Sequence, residues 1–426
     1  MIVINWFVTL FKWMASLQSS VLVPLALLIF ALIAGMNFPK ALKHSILVGV
    51  GLIGLMAVVG IFGQGVSPVV QAIAKATGSK LTIADAGVFT LLLVTWGSKI
   101  AIFFIPVGLT VNLLMIWAKL TKTLDVDILN YWVWGISAIA VQALTGSTLL
   151  GILAFIINEI VILLLADWQA PKIQDQFGLP GVSIPHGNAA LWPPVAVVVG
   201  FILKFIPGLN KVNADPESIK KNLGIFGEPV ILGFILGIIL GIIARYSVSN
   251  ILTLAVTIAA VMILFPKMVA VMMEGLVPIS EAVREFAKSH LHRETIYIGL
   301  DAAVLIGFPE VIATGIILIP IIIVIAPLLP GNHVLPLADL AIATPFLIST
   351  SMPFLKKGNV IWGVIAGTVI FILALYIAGD LAPLYTKAGL LSGVSAVPKD
   401  TTWTSLGAGS NWVTWVIVKV FRLFGY

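Results

Sequence analysis

Apolar residues fill this chain in long runs, and short polar breaks separate them. Runs that approach the ~20 residues needed to cross ~30 Å of hydrocarbon recur from one end to the other. They predict spans at 20–36, to 63, around Pro106, 132–145 and 147–166. A second group follows at 229–244, 250–270, 310–329, 342–354 and 359–379, with a last span at 408–425. Two apolar stretches, 83–97 and 295–308, are too short and too polar to cross. Their backbone is tolerable at membrane depth only under a cover of protein or beside a wet cavity, so they read as re-entrant hairpins. Residues 5–16, 68–78 and 279–292 read as amphipathic segments, and 190–207 as a re-entrant or interfacial stretch inside the polar connector 168–228.

The order of these elements repeats, and so do scarce residues. An offset of 212 relates Asp127 to Asp339 and Gly146 to Gly358. The same offset relates Ala170-Pro171 to Ala382-Pro383 and Gly181-Val182-Ser183 to Gly393-Val394-Ser395, while Asp167 and Asp380 differ by 213. The chain therefore reads as a diverged tandem duplication, with the last span outside it. Five spans per copy is an odd number, so the two copies insert with opposite orientation. The expected fold is an all-α polytopic membrane protein of about 11 transmembrane helices, built as two inverted five-span repeats with two re-entrant hairpins and amphipathic linker helices. Such repeats are typical of secondary-transporter-like folds, with substrate near the midplane. The expected domains are an interfacial helix 1–19, a scaffold of 20–63 and 229–278, a transport core of 64–228 and 279–402, and a C-terminal span 403–426.

Composition agrees. The chain is 60% hydrophobic and 10% charged, and its mean hydropathy is +1.13. No soluble core could hide that much apolar surface. The net charge of +6 is a matter of orientation rather than nucleic-acid binding. With the N-terminus outside and the C-terminus inside, seventeen of the 24 lysines and arginines fall inside, among them Lys172, Lys204, Lys356, Lys357, Lys419 and Arg422. That is the expected bias for short loops. No signal-peptide pattern opens the chain. The absence of cysteine excludes thiolate catalysis and thiolate metal sites on this polypeptide. No metal-ligand cluster or phosphate-cradling glycine loop is present, so no metal and no cofactor is expected.

Ionisable residues inside apolar stretches are expensive, and so are the candidates for chemistry. Asp85 and Asp301 stand at the mouths of the two hairpins, where each could bind sugar hydroxyls or cap its own hairpin. His186, in the Pro/Gly-rich word Ile184–Asn188, offers one acceptor and one donor, which suits a polyol, with Gly187 and Asn188 beside it. Gln142 lies within a span near Thr145-Gly146 and could bind sugar or a neighbouring helix. Glu228 precedes a helix whose dipole alone would explain it. Glu310 follows Pro309 and could face the site or cap the next helix. Trp96, Trp132 and Trp134 could stack on a sugar ring, although interfacial tryptophans are common. Glu159 lies mid-span beside Asn158 and needs a partner that the sequence does not name.

The words VSIPHGN (182–188), GIFGEPV (224–230), GLDAAVLIG (299–307) and PGNHVLPLADL (330–340), in this order, resemble the membrane IIC component of a sugar phosphotransferase system. The match is with the ascorbate–galactitol superfamily, nearer its galactitol branch, over almost the whole chain. The resemblance implies a homodimer, an elevator-type movement of core against scaffold, and uptake of a sugar alcohol coupled to its phosphorylation. The phosphoryl group would come from a phosphocysteine on a separate IIB protein, itself charged by an upstream IIA. It implies a bacterial inner membrane, with the C-terminus cytoplasmic. By position it carries the substrate site onto Asp301, His186, Gln142 and the Asp85-Ala86-Gly87 hairpin start. The galactitol pattern has histidines where this chain has Val133 and Phe308, which bears on which polyol fits. Two other classes of function stay open: an ion-coupled secondary transporter using Asp85, Asp301 or Glu159, and an intramembrane enzyme with Asp85 and Asp301 on magnesium.

Overall fold

The computed structural model describes residues 19–77, 81–127, 131–290, 295–394 and 401–426. The expected amphipathic segment 5–16 lies outside them. The first half runs α1 (Ser19–Ile33), α2 (Phe38–Thr77), β1 (Ile83–Asp85), α3 (Val88–Gly97), α4 (Phe104–Trp117), β2 (Thr123–Asp125), α5 (Tyr131–Thr145), α6 (Thr148–Phe177), β3 (Val182–Ser183) and α7 (Pro193–Leu203). After a short α8 (Pro216–Leu223) come α9 (Pro229–Ile243), α10 (Val248–His290), β4 (Tyr297–Gly299) and a single tight turn at Ala302–Leu305. Then follow α11 (Pro309–Ile325), β5 (Val334–Leu335), α12 (Leu340–Ser349), α13 (Val360–Ser392), β6 (Trp403–Thr404), α14 (Leu406–Gly409) and α15 (Trp412–Leu423). Among the described residues six helices are long and apolar enough to cross a membrane, and shorter apolar helices accompany them. The molecule is a helical multi-pass membrane protein.

Several boundaries differ from the sequence reading. The stretches 68–78 and 279–292 are not separate surface helices. The first, as far as Thr77, and the second, as far as His290, are the ends of α2 and α10, helices of 40 and 43 residues that run through Pro68 and Pro278. Their polar ends carry on past the apolar run because a proline late in a helix costs one backbone bond and does not have to end it. The hairpins are also not purely helical. Each opens with a strand, and the second continues with one tight turn instead of a helix. Finally, the order strand, short helical turn, short helix that ends in α7 recurs through β6, α14 and α15.

Among the described residues, six strands of two or three residues form two parallel sheets that hydropathy could not reveal. One has the order β5-β1-β6, with Ala84 opposite Leu335 and Trp403. The other has the order β2-β4-β3, with Ile298 opposite Leu124 and Val182. Each central strand opens one hairpin, and both of its neighbours come from the other half of the chain. The register makes Ala84 the counterpart of Ile298, which places Asp85 opposite Gly299 and Asp301 opposite Gly87. The two aspartates are therefore two positions out of equivalence.

Carboxylates complete the first sheet. Asp85 accepts the backbone N–H of Gly87 (3.3 Å), Asp339 (2.9 Å) and Leu406 (3.2 Å). Asp339 accepts from Val88 N–H, from the Ser405 hydroxyl, and from Gly407 N–H at 3.2 Å. Both are buried, and together they satisfy the open ends of α3 and α14 where water cannot reach.

The helices pack in two groups. α1, α2, α9 and α10 lie against one another, and α5, α6, α11, α12 and α13 form the second set. On α9 the face Gly233-Gly237-Gly241 meets α10 closely. A Cβ on Gly237 would lie 2.4 Å from the Cα of Ala255, and one on Gly233 would lie 3.0 Å from that of Ala259. Small residues four apart let helix backbones touch where lipid supplies no hydrophobic drive.

α13 also measures position across the membrane. Lys356 and Lys357 precede its start. Asp380, twenty residues beyond Val360 and so about 30 Å further along, pairs with Lys419 (3.0 Å) and Arg422 (3.1 Å). Those two residues of α15 therefore stand about 30 Å along α13 from the end that follows Lys356 and Lys357.

Two outcomes test this packing. Asp339→Ala strands three buried donors at about 1–3 kcal/mol each. It is expected to lower the apparent melting temperature in detergent far more than an exposed control such as Lys204→Ala. Gly237→Leu forces α9 from α10 at a cost of about 1–3 kcal/mol or more, read in the same melt.

Candidate functional site

The second sheet places the site. β4 ends at Gly299, and a Cβ there would lie 2.8 Å from Pro185 Cγ and 2.9 Å from the Cα of Asp125, so the three segments close on one point. Two residues on, Asp301 starts the tight turn and caps it, accepting Ala303 N–H at 2.6 Å through Oδ1. Its other oxygen, Oδ2, stands 3.8 Å from His186 Nε2. Residues 115 apart in sequence are brought face to face. Asp301 keeps 16% of its side chain exposed while His186 keeps 3%, so the pair is reached from the Asp301 side.

The turn that carries His186 is held from outside. Its carbonyls accept from the Gln169 amide at Ala190 (2.7 Å), the Thr350 hydroxyl at Ala189 (2.7 Å) and the Trp412 indole at Leu191 (2.7 Å). These donors come from α6, the end of α12 and α15. The Phe346 ring meets the imidazole edge-on at 4.8 Å, and Asn188 N–H approaches His186 Nδ1 at 3.4 Å. Gly187 is closely packed: a Cβ there would lie 2.6 Å from Ile162 Cδ1 and 2.7 Å from Val133 Cγ1, so those side chains would have to shift. Burial pushes the His186 imidazole below its usual pKa, and the Asp301 carboxylate pulls the other way. The ring is neutral at pH 7, so it can both accept and donate.

Around this turn lie polar atoms that have no protein partner among the described residues. They are Asn188 Oδ1, Asn411 Nδ2, Asp125 Oδ2 and both carboxylate oxygens of Glu159, all buried. Asn411 Nδ2 lies 3.4 Å from where a Gly187 Cβ would sit, and Glu159 is one turn from Ile162 on α6. Beside Glu159, the Asn158 amide donates to Ser137 and, at 3.3 Å, to Thr414, while its Oδ1 is also without a partner among the described residues. Buried polar groups left open in a native fold call for an explanation.

The candidates named from the sequence divide. Asp301, His186, Gly187 and Asn188 come together. Asp85, Ala86 and Gly87 belong to the other sheet: Asp85 caps backbone there, and Ala86 N–H continues the strand pairing to Thr404 (2.8 Å). Gln142 donates to Thr148 Oγ1 (3.0 Å) across the α5–α6 turn. It is nine residues, about 13 Å, along α5 from Val133. Trp96 packs on Phe104 at 5.8 Å, and Trp134 is buried against Tyr131 at 4.4 Å. Glu228 stands at the N-terminus of α9, as the dipole reading expects. Glu310 is buried in the first turn of α11 and accepts from Gln176 at 2.9 Å. Of the two departures from the galactitol pattern, Val133 touches the Gly187 turn, whereas Phe308 packs on Phe177 at 4.5 Å.

Sequence reasoning leaves out Asp125 and Asn411. Asp125 stands beside the repeated Asp127, which is a usable signal. Asn411 looks like a helix cap, and it is one for Thr414 N–H (2.8 Å), so nothing advertises its free amide.

Residues 14–400 match the family EIIC-GAT, described as the PTS system sugar-specific permease component. A protein of Escherichia coli (strain K12) named only as a permease IIC component is 35% identical over 97% of this chain and 94% of its own length. The galactitol-specific EIIC components of the phosphotransferase systems of Escherichia coli (strain K12) and Escherichia coli O157:H7 are each 33% identical over 96% of this chain and 90% of theirs. A helical multi-pass protein whose sequence matches these proteins along nearly its whole length belongs to the sugar-specific permease (IIC) components of the phosphotransferase system.

Proposed function

We propose that this chain carries a sugar alcohol, galactitol or a close relative, across the bacterial inner membrane while a phosphorylated IIB partner phosphorylates it. The observation that carries this reading is the His186–Asp301 pair at 3.8 Å, set among buried polar atoms that lack protein partners. A neutral imidazole, a carboxylate and two amides form the donor and acceptor set that vicinal hydroxyls match. The site holds no lysine or arginine among these groups, so a phosphate ester binds poorly there and leaves. Val133 gives the pocket an apolar wall where the galactitol pattern has a histidine, which favours a polyol with one fewer polar contact at that point.

The movement we propose is an elevator. The α1, α2, α9 and α10 group is the scaffold and meets a second copy, with exposed apolar side chains such as Ile29, Val50 and Ile53 available to lipid or to that copy. The group around α5, α6, α11 and α13 is the mobile core, and the extended ends of α2 and α10 are its levers. The exchange of strands supports this scheme, since each sheet takes its centre from one half and its edges from the other, as two inverted repeats would. The position of Asp380 with Lys419 and Arg422 favours a C-terminus on the face opposite Lys356 and Lys357. The basic residues that stay with Lys172, Lys204 and the 356–357 pair still outnumber the rest, so that face is cytoplasmic.

An ion-coupled transporter is the second reading, favoured by one observation: Glu159 is fully buried with neither carboxylate oxygen bonded among the described residues. Asp85 no longer serves it, since backbone donors take its carboxylate.

The deciding measurement is uptake into vesicles that contain the partner and a phosphoenolpyruvate relay, across a panel of hexitols and pentitols. The expected product is sugar phosphate, formed without an ion gradient. Accumulation of unmodified solute that collapses with the gradient would overturn the reading. Asp301→Asn is expected to keep its melting temperature and lose uptake by tenfold or more; uptake at the parent rate would take Asp301 out of the site. The pH dependence has a definite sign. With its pKa below the ordinary 6.5, His186 contributes fully above that value and loses its contribution as pH falls through the lowered one. Polyol binding by calorimetry should therefore weaken on acidification, and His186→Gln should remove that step.

A further inference from the structure

A cavity of about 430 Å³ has none of the proposed polyol-site residues in its lining and is rich in lysine. Lys172, Lys204, Lys356 and Lys357 line it, against one carboxylate, Asp175. These residues come from the end of α6, the end of α7 and the loop before α13, three segments that the membrane topology puts on one face. Lys172, Lys204 and Lys357 are exposed, so the cavity opens to the aqueous side.

The lysines are not neutralised. Among the described residues, no carboxylate oxygen comes within 4.0 Å of the ammonium groups of Lys172, Lys204 or Lys357, although the charge of Lys357 is felt by Asp215. Lys356 has a different task. Its ammonium donates to the carbonyls of Asn210 (2.6 Å) and Val212 (2.9 Å). That anchor holds a run of three left-handed residues, Lys356 (φ 44°), Lys357 (φ 58°) and Gly358 (φ 72°). Left-handed backbone is unfavourable for lysine and persists only where the surroundings fix it. Here it presents Lys357 to the cavity. Lys172 is held over the Phe354 ring at 5.2 Å, which fixes a second ammonium. Three unpaired positive charges around one cavity, two of them positioned, make an anion site.

The cavity adjoins the transport machinery. Gln176, in its wall, donates to Glu310 at 2.9 Å, and a Cβ on Gly358 would lie 2.9 Å from Gln176 Nε2 and 3.3 Å from Glu310 Oε1. Glu310 follows directly on the hairpin that carries Asp301. An anion seated among the lysines is thus one hydrogen bond from the segment that holds the sugar.

We propose that this lysine-lined cavity receives the phosphate group of a phosphate monoester on the cytoplasmic face. Two sources share that chemistry: the sugar phosphate on its way out, and the phosphocysteine of the partner on its way in. The inference rests on the phosphotransferase reading above. It also supplies what the polyol pocket lacks, a place where two negative charges are stabilised beside a site that accepts only neutral hydroxyls.

The test uses the full chain in nanodiscs, with the triple variant Lys172→Gln, Lys204→Gln, Lys357→Gln and the single variant Lys204→Gln as a milder control. Both are checked by thermal unfolding. Calorimetry compares a hexitol 1-phosphate, inorganic phosphate and the unphosphorylated hexitol. The expected result is hexitol phosphate affinity at least tenfold weaker in the triple variant, with hexitol affinity unchanged and a steep salt dependence in the parent. If the partner is the source, hexitol phosphate binding stays the same and the KM for phosphorylated IIB rises at least tenfold. No change in either, or an equal loss for the unphosphorylated hexitol, overturns the proposal. A parent protein that binds no hexitol at all, yet loses inorganic phosphate binding in the variant, would sink the phosphotransferase reading and leave the anion site standing.

Discussion

The structure depends on one constraint: chain that stops inside the membrane must find partners for its own backbone. A spanning helix satisfies itself, but a hairpin that enters and turns back exposes amide and carbonyl groups where no water can meet them. This fold solves the problem with strands of two or three residues, far too short to persist alone. They form because each hairpin strand is flanked on both sides by strands from the other half of the chain. The buried aspartates Asp85 and Asp339 then accept the N–H groups that the strands leave over. The halves are thus tied by obligatory hydrogen bonds as well as by packing, and neither centre can form without the other half.

That arrangement also decides where function can reside. The two sheets are built alike, but their loose ends are resolved differently. In the first, carboxylates are fully occupied by backbone and a hydroxyl, which leaves nothing to bind a ligand. In the second, Asp301 is displaced by two residues from the capping position that Asp85 fills, so one oxygen still caps and the other faces His186. Of two similar structural ends, one keeps a free oxygen for a ligand and the other does not. The supports of the His186 turn, Gln169, Thr350 and Trp412, come from three separate helices, so the imidazole is fixed before any ligand arrives.

The helices are legible in the sequence because apolar length is a direct signal of lipid as solvent, and the recurring aspartates stand out because aspartate is scarce. The sheets are not, since two residues of Val-Leu or Trp-Thr carry no periodicity. The register shares that fate: the sequence pairs Asp85 with Asp301 by their place in each hairpin, and only the strand partners show the two-residue shift. His186 and Asp301 are legible as costly groups near Gly and Pro breaks. Asn411 is not, because a capping asparagine and a ligand-binding one are spelled the same way. The helix α7 is hard to read for a different reason: at 11 residues it is too short to register as a span.

Charge separates the two cavities. The proposed polyol site contains acceptors and donors with no fixed cation, whereas the lysine-lined cavity gathers ammonium groups, with Gln176 in its wall bonded to Glu310 next to the same hairpin. A neutral sugar gains nothing from lysines, and a phosphate ester loses its hydration without compensation in a pocket of carboxylate and amide. Adding a phosphate to the sugar therefore reverses which of the two environments is favourable. Direction does not have to be imposed by a gradient in such an arrangement. It follows from placing opposite electrostatic preferences on the two sides of one chemical step.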